Sequence, residues 1–438
     1  MNRTWMPFVI LTILAVWALT VSEAPPIVVG GPVNVGDTAW LLTATGLVLL
    51  MTPGLSYFYA GMVSTKNVIS TMLQSFISLG VIALLWAVVG FSLSFGESFH
   101  GLIGDPRTYF MLKGVGPATH PDLSPTIPFI LFAMFQLKFA VITPALITGS
   151  FAERVRFSAY LVFIYAPLAH WTWHPQGFLR QWGVLDFAGG TVVHMSAGFA
   201  ALAAAIVLGR RRSHEAGRVQ APANIPYVLL GTGMLWFGWF GFNAGSALSA
   251  SATAAMAFAT THFSSAAAML TWILLDVARG RRPSALGACI GSVVGLVAIT
   301  PAAGYVSIPH SIFIGFAASV ISNIAVHWKS QTTLDDTLDV FPCHGVGGIV
   351  GMLLTGVFAR DVGLFWGQTA TFLNHLWALA IVSAFSFFGS LALFRVTDWL
   401  LPIRVTAEQE AIGLDLSQHG EFMELEPMRQ FGYSDTVR

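Results

Sequence analysis

Charge is what this chain of 438 residues has least of: 21 Lys and Arg stand against 21 Asp and Glu, 10% in all and balanced. Soluble domains carry about 25% charged residues, so a water-facing surface over the whole chain is excluded. The zero net charge leaves no basic face for nucleic acid. Cysteine is nearly absent. Cys289 and Cys343 both sit in apolar stretches, which excludes a disulfide framework. What is there is 55% hydrophobic, with a mean hydropathy of +0.71. Lipid is the solvent for such a composition, and we read one integral bundle rather than the several soluble domains this length would otherwise suggest.

A bilayer core of about 30 Å needs about 20 helical residues to cross it. Apolar runs of that order lie near 38–60, 68–94, 126–149, 158–173, 187–209, 224–248, 254–277, 284–303, 307–328, 340–359 and 369–401. The expectation is an all-α integral membrane protein with eleven transmembrane helices spread over 37–401 and a tail over 402–438. Residues 1–24 stand apart: Arg3, an apolar stretch from Pro7 to Leu19 and the small-residue site Ser22-Glu23-Ala24 read as a signal peptide, with an uncleaved twelfth span as the rival.

Positive charge orients the bundle. With the mature N-terminus outside, one set of loops holds Lys66, Arg154, Arg156, Arg210, Arg211, Arg212, Arg218, Arg279, Arg281, Arg282 and Lys329. The opposite set holds only Arg107, Lys113, Arg180 and Arg360. Lys- and Arg-rich loops stay in the cytoplasm, so the N-terminus is expected outside and the tail inside.

Two passages then stand out, LDFAGGTVVHMSAG at 185–198 and DVFPCHGVGGIVG at 339–351. In the fifth span His194 follows Asp186 by eight residues, about 12 Å along a helix. In the tenth His344 follows Asp339 by five residues, about 7.5 Å. The spans enter from opposite faces, so the rings can approach at mid-depth, as an inverted 5+5 repeat with its site between the halves would place them. Either aspartate can be a plain helix N-cap, and one intramembrane histidine can be an interhelical hydrogen-bonder. Two at mirrored depths point to a pathway.

These passages, with GWFGFNAGSA (238–247), FAERVRFS (151–158), YFYAGMVSTKNV (57–68) and EQEAIGLDLSQHGE (408–421), resemble the ammonium transporter family, Rhesus-type proteins included. The likeness runs in unbroken order from about Asp37 to Glu421. It implies a homotrimer in the plasma membrane (the inner membrane of a Gram-negative cell), one pore per subunit, with ammonium or ammonia as substrate and neither enzyme activity, metal nor cofactor. It also implies roles by position. Phe135, Trp173 and Ser246 match an outer recruitment site, Phe139 and Phe242 a stacked gate below it, Asp186 an acid near the outer mouth, and His194 with His344 the paired imidazoles of the conduit. Family members engage PII-type signalling proteins where the basic loop 209–218 and the tail lie here, although the loop's charge needs no partner to explain it.

The residue types suit the chemistry. Ammonium has the size of potassium, so charge alone cannot select it, but it has four directed N–H donors that a Ser246 oxygen can accept. Aromatic faces attract a desolvated cation by about 0.5–2 kcal/mol each. A bare charge is costly in an apolar conduit whereas neutral ammonia crosses more cheaply. Deprotonation near the gate, with the proton relayed by the imidazoles, gives electrogenic NH3/H+ transport; the alternative is a Rhesus-like electroneutral ammonia channel.

Two departures from the family matter. WHPQ at 173–176 replaces a tryptophan followed by glycines, so His174 and Pro175 should stiffen the outer mouth. Lys138 is the only lysine in a span core, where a charge costs about 2.5–3.5 kcal/mol on insertion scales. Set about 100° round the helix from Phe139, it faces a neighbouring helix or subunit; aimed inward it would repel ammonium and favour a sensor with little flux. A metal enzyme built on His194, Cys343 and His344 is disfavoured, because helical neighbours 343 and 344 point about 100° apart and a catalytic zinc needs three convergent ligands.

Overall fold

The computed structural model describes residues 5–21, 24–155, 164–217 and 221–423. Among them nine helices are long and apolar enough to cross a bilayer: α1 (Val35–Met62), α2 (Thr65–Phe95), α3 (Phe129–Ser150), α5 (Gly190–Leu208), α6 (Ile225–Gly245), α7 (Ala252–Ala278), α9 (Ile308–Ser330), α10 (Phe341–Phe358) and α11 (Ala370–Leu400). Two shorter helices lie between them in the chain, α4 (Tyr165–Trp173) and the apolar α8 (Ala285–Ile299). The start of the span expected at 158–173, with Arg156, lies outside the described residues, as do Arg218, Ser22 and Glu23. The protein is a helical, multi-pass membrane protein.

Local chemistry starts several of these helices. Asn34, Asn224, Ser251 and Ser284 each accept a backbone N–H three residues on, from Asp37, Tyr227, Ala254 and Gly287, the usual service of an N-cap. A helix over Met6–Ala18 precedes the bundle. Its large side chains, Phe8, Ile13 and Trp17 among them, are exposed, and Trp17 touches Phe110.

The two His-bearing helices run in opposite senses. α5 leads from Asp186 to Arg211, and Arg211 pairs with Asp335, just ahead of α10. α10 then returns toward Arg360, whose N–H donates to the carbonyl of Tyr305, a residue that lines a cavity with Asp186. They cross where only hydrogen fits: a Cβ on Gly198 would lie 2.2 Å from the Gly345 nitrogen. Close approach through small residues is how membrane helices gain contact without a hydrophobic drive. Both begin with a π-helical turn, Gly190–Met195 and Phe341–Val346, and each turn carries its histidine.

The Asp335 end is tied by ions. Arg211 bonds Asp335 (2.9 Å) and Glu153 (2.7 Å), while fully buried Arg154 donates to the Asp335 carbonyl and Thr337. The tail docks on this end. Lys66 donates to the carbonyls of Glu410 and Ala411, Asp415 accepts the N–H groups of Ile69 and Ser70, and Arg404 reaches Glu410 and the carbonyl of Leu208. Burial disfavours charge on Asp335, yet the Arg211 hydrogen bonds and charge hold its pKa at about 2. A lowered carboxylate pKa stabilises the fold above the unfolded value near 3.8 and loses that contribution as pH falls through about 2. Asp335→Asn is therefore expected to cost about 3–5 kcal/mol, as a broken buried ion pair does. In thermal unfolding of the purified protein, the gap to wild type should stay flat from neutral pH to about 4 and then narrow, by about 2 kcal/mol, as pH falls to 2 and below.

Candidate functional site

Asp186 organises the site. It is buried, and its Oδ1 accepts the N–H groups of Gly189 and Gly190, both at 2.7 Å. Its Oδ2 accepts the N–H and the hydroxyl of Thr191, at 2.7 and 2.5 Å. Four donors on one carboxylate make Asp186 the cap of the π-helical turn that delivers His194. Gly189 enters that turn at φ +121°, a conformation side chains rarely adopt. The Asp186 carbonyl accepts the Trp173 indole N–H at 3.1 Å. The preceding residue is pinned as well: the Leu185 N–H donates to His375 Nε2, whose Nδ1–H donates to the Met352 carbonyl.

A cavity of about 660 Å³ opens beside Asp186. Its walls include Phe132, Gln136, Phe139, Trp173, Asp186 and Ser246. Phe139, on the wall, stands edge-on to Trp173 (5.7 Å between centroids) and stacks on Phe242 at 4.1 Å and 25°. The Ser246 hydroxyl gives its proton to the Phe242 carbonyl at 2.8 Å, which leaves only lone pairs for anything in the cavity. The Gln136 side-chain oxygen, also on the wall, has no partner among the described residues.

Below the phenyl pair lie the imidazoles. His194 is 6.2 Å from Phe242 and 5.3 Å from Trp239 by ring centroid. His194 Nδ1 and His344 Nδ1 face each other at 3.3 Å, and both rings are buried. Mouth, phenyl stack and imidazole pair thus follow one another inward from the Asp186 end.

Three of the residues singled out in the sequence lie off the mouth wall. Phe135 is fully buried behind Phe139 (4.9 Å) and against Gly245, off the cavity wall. Phe132 and Gln136, on the turn of α3 that does face the cavity, take that wall. His174 stacks on His170 at 4.4 Å and accepts the Gln176 N–H; it lines a neighbouring cavity of about 570 Å³ rather than the mouth. Lys138 is half-buried, lies off the mouth wall and makes no hydrogen bond or ion pair among the described residues.

The mirrored aspartates are not equivalent. Asp339 pairs with Lys329 at 2.6 Å in a positive-φ conformation. The cap on the His344 turn is Asp336, which accepts the Phe341 N–H at 2.8 Å. Cys289 and Cys343 are buried free thiols. Among the described residues no three His, Cys, Asp or Glu side chains gather as a metal site would need.

An antiparallel helical membrane bundle with a capped mouth and a buried histidine pair defines a class of membrane pore or transporter, and comparison names the family. Residues 39–424 match the model of the Ammonium Transporter Family. The ammonium transporter of Bacillus subtilis is 43% identical over 407 residues, 89% of this chain and 98% of that one. The crystal structure of Candida albicans Mep2 superposes with a TM-score of 0.80 at 35% identity, covering 86% of this chain and 88% of the other. A solved structure described as a sensor Amt protein gives 0.81 at 29% identity, covering 88% and 98%. The chain belongs to the ammonium transporter family.

Proposed function

We propose that this protein transports ammonium: the cation is taken from the cavity beside Asp186, gives up a proton at the Phe139–Phe242 stack, and passes as ammonia along His194 and His344. One observation carries this reading, the inward succession of a mouth with bare acceptors, a stacked phenyl pair and two facing imidazoles. Ser246 offers lone pairs alone, which bind an N–H cation directionally. The faces of Trp173 and Phe139 add cation–π attraction. Phe135 supports Phe139 from behind. Asp186, with its carboxylate saturated by four donors, acts by holding the mouth and the His194 turn together.

Past the phenyl stack no ion pair or carboxylate among the described residues offsets a bare charge, so the neutral base is the form that passes. The released proton moves through the imidazole pair, and net transport is electrogenic, NH3 with H+. The Asp335 end is the cytoplasmic one and the N-terminus is outside, a reading supported by the basic residues gathered there, Lys66, Arg154, Arg210, Arg211, Arg212 and Lys329. Residues 1–24 serve as a signal peptide. The subunit works in a homotrimer, and the docked tail with the basic loop 209–218 forms the surface for a PII-type partner. The sensor reading, supported by likeness to a sensor Amt structure, rested on a lysine aimed at the path; Lys138 lies off the mouth wall.

The test is selective uptake by proteoliposomes. Ser246→Ala removes the oriented acceptor and should raise the half-saturating ammonium concentration about tenfold, the worth of one hydrogen bond to a charged group. An unchanged half-saturation point and unchanged discrimination against potassium would remove Ser246 from the mouth.

A further inference from the structure

We propose that Thr300, backed by Trp239, is a positioning residue that sets which nitrogens of the His194–His344 pair carry hydrogen; this rests on the reading above, in which the pair lines the path. Thr300 caps the last turn of α8 and is buried. Its Oγ lies 2.7 Å from the Leu296 carbonyl, 2.9 Å from Trp239 Nε1 and 3.2 Å from His194 Nε2.

Donor arithmetic decides the rest. An indole N–H can only donate, so Trp239 occupies one lone pair of Thr300 Oγ. The single hydroxyl proton goes to the Leu296 carbonyl, one turn back. His194 Nε2 therefore meets an oxygen with a lone pair and no proton to give, and must donate. A neutral imidazole has one N–H, so His194 Nδ1 is bare. His344 Nδ1, at 3.3 Å, is then the donor between the rings, and His344 Nε2 is bare. That last nitrogen has no protein partner among the described residues. One hydroxyl thus fixes all four ring nitrogens and leaves the bare one on His344, ready to accept an N–H from passing ammonia.

The alternative is equally defined. If the Thr300 proton turned to His194 Nε2, every assignment would reverse, and His344 would present an N–H instead. The choice between an accepting and a donating His344 lies with a side chain that touches only one ring of the pair.

The test is nitrogen NMR on the protein labelled with 15N-histidine in lipid, with the two rings assigned through the His194→Asn and His344→Asn variants. The expected result is hydrogen on Nε2 of His194 and on Nδ1 of His344. Thr300→Val should replace this single pattern by a mixture and shift the ratio of current to ammonium uptake by severalfold. Thr300→Ser should restore both. Hydrogen on His194 Nδ1 in the wild type overturns the proposal even if Thr300→Val does not fold. So does a folded Thr300→Val protein with the wild-type pattern and ratio. Should His194→Ala and His344→Ala keep selective uptake, the functional reading itself fails; if they lose it while Thr300→Val changes nothing, only this inference does.

Discussion

Replacement of His194 or His344 by alanine is expected to cut selective ammonium uptake to about a tenth or less, since His344 supplies the substrate's hydrogen-bond partner, His194 orients that ring, and a buried group left unpaired costs about 1–3 kcal/mol. The two losses should not add. Each ring holds the other through the 3.3 Å Nδ1–Nδ1 contact, and members of one hydrogen-bonded unit fail together. The double variant should therefore resemble either single one. Radiolabelled methylammonium uptake into proteoliposomes, alongside rubidium uptake as a stand-in for potassium, measures it. A variant that passes more rubidium would show that the rings also keep the path closed to hydrated cations.

Asp186→Asn is expected to have the second largest effect, although it removes only a charge. The carboxylate receives three N–H groups and one O–H. An amide keeps one accepting oxygen and turns an NH2 against the remaining donors, leaving buried groups unpaired at about 1–3 kcal/mol each. We expect a loss of about 3 kcal/mol or more of stability, read as a lower unfolding temperature in detergent. Uptake should fall as well, because the Asp186 cap sets the His194 turn and its carbonyl holds Trp173. If Asp186 instead acted by charge at a distance, Asp186→Asn would keep its melting temperature and lose only affinity.

Much of this architecture is legible in the residues. Apolar runs of span length bounded by Asn and Ser caps need no tertiary information, and the opposite senses of α5 and α10 follow from counting spans and loop charges. Asp186 three residues ahead of two glycines is a recognisable cap. What the chain conceals is which of several equally suited residues does a job. Asp336 and Asp339 both precede the His344 turn at capping distance, and only the positive φ of Asp339 and the Lys329 pair decide between them. Phe135 and Phe139 share a helix face, but Gly245 draws the first ring behind the second. Thr300, Trp239 and His375 look like ordinary members of apolar helices. A hydroxyl or an indole gives no periodic signal, so their service to the histidines and to the Asp186 loop appears only with the helices packed.

The central claim is that a cation is stripped to its neutral base beside the imidazole pair while its proton crosses separately. Ammonium pulses applied to proteoliposomes on a solid-supported membrane test it most directly. The account predicts a transient inward current in the wild type that disappears in His194→Ala at equal protein density. Alkalinisation of the lumen without current, or ammonium binding with neither, would contradict it.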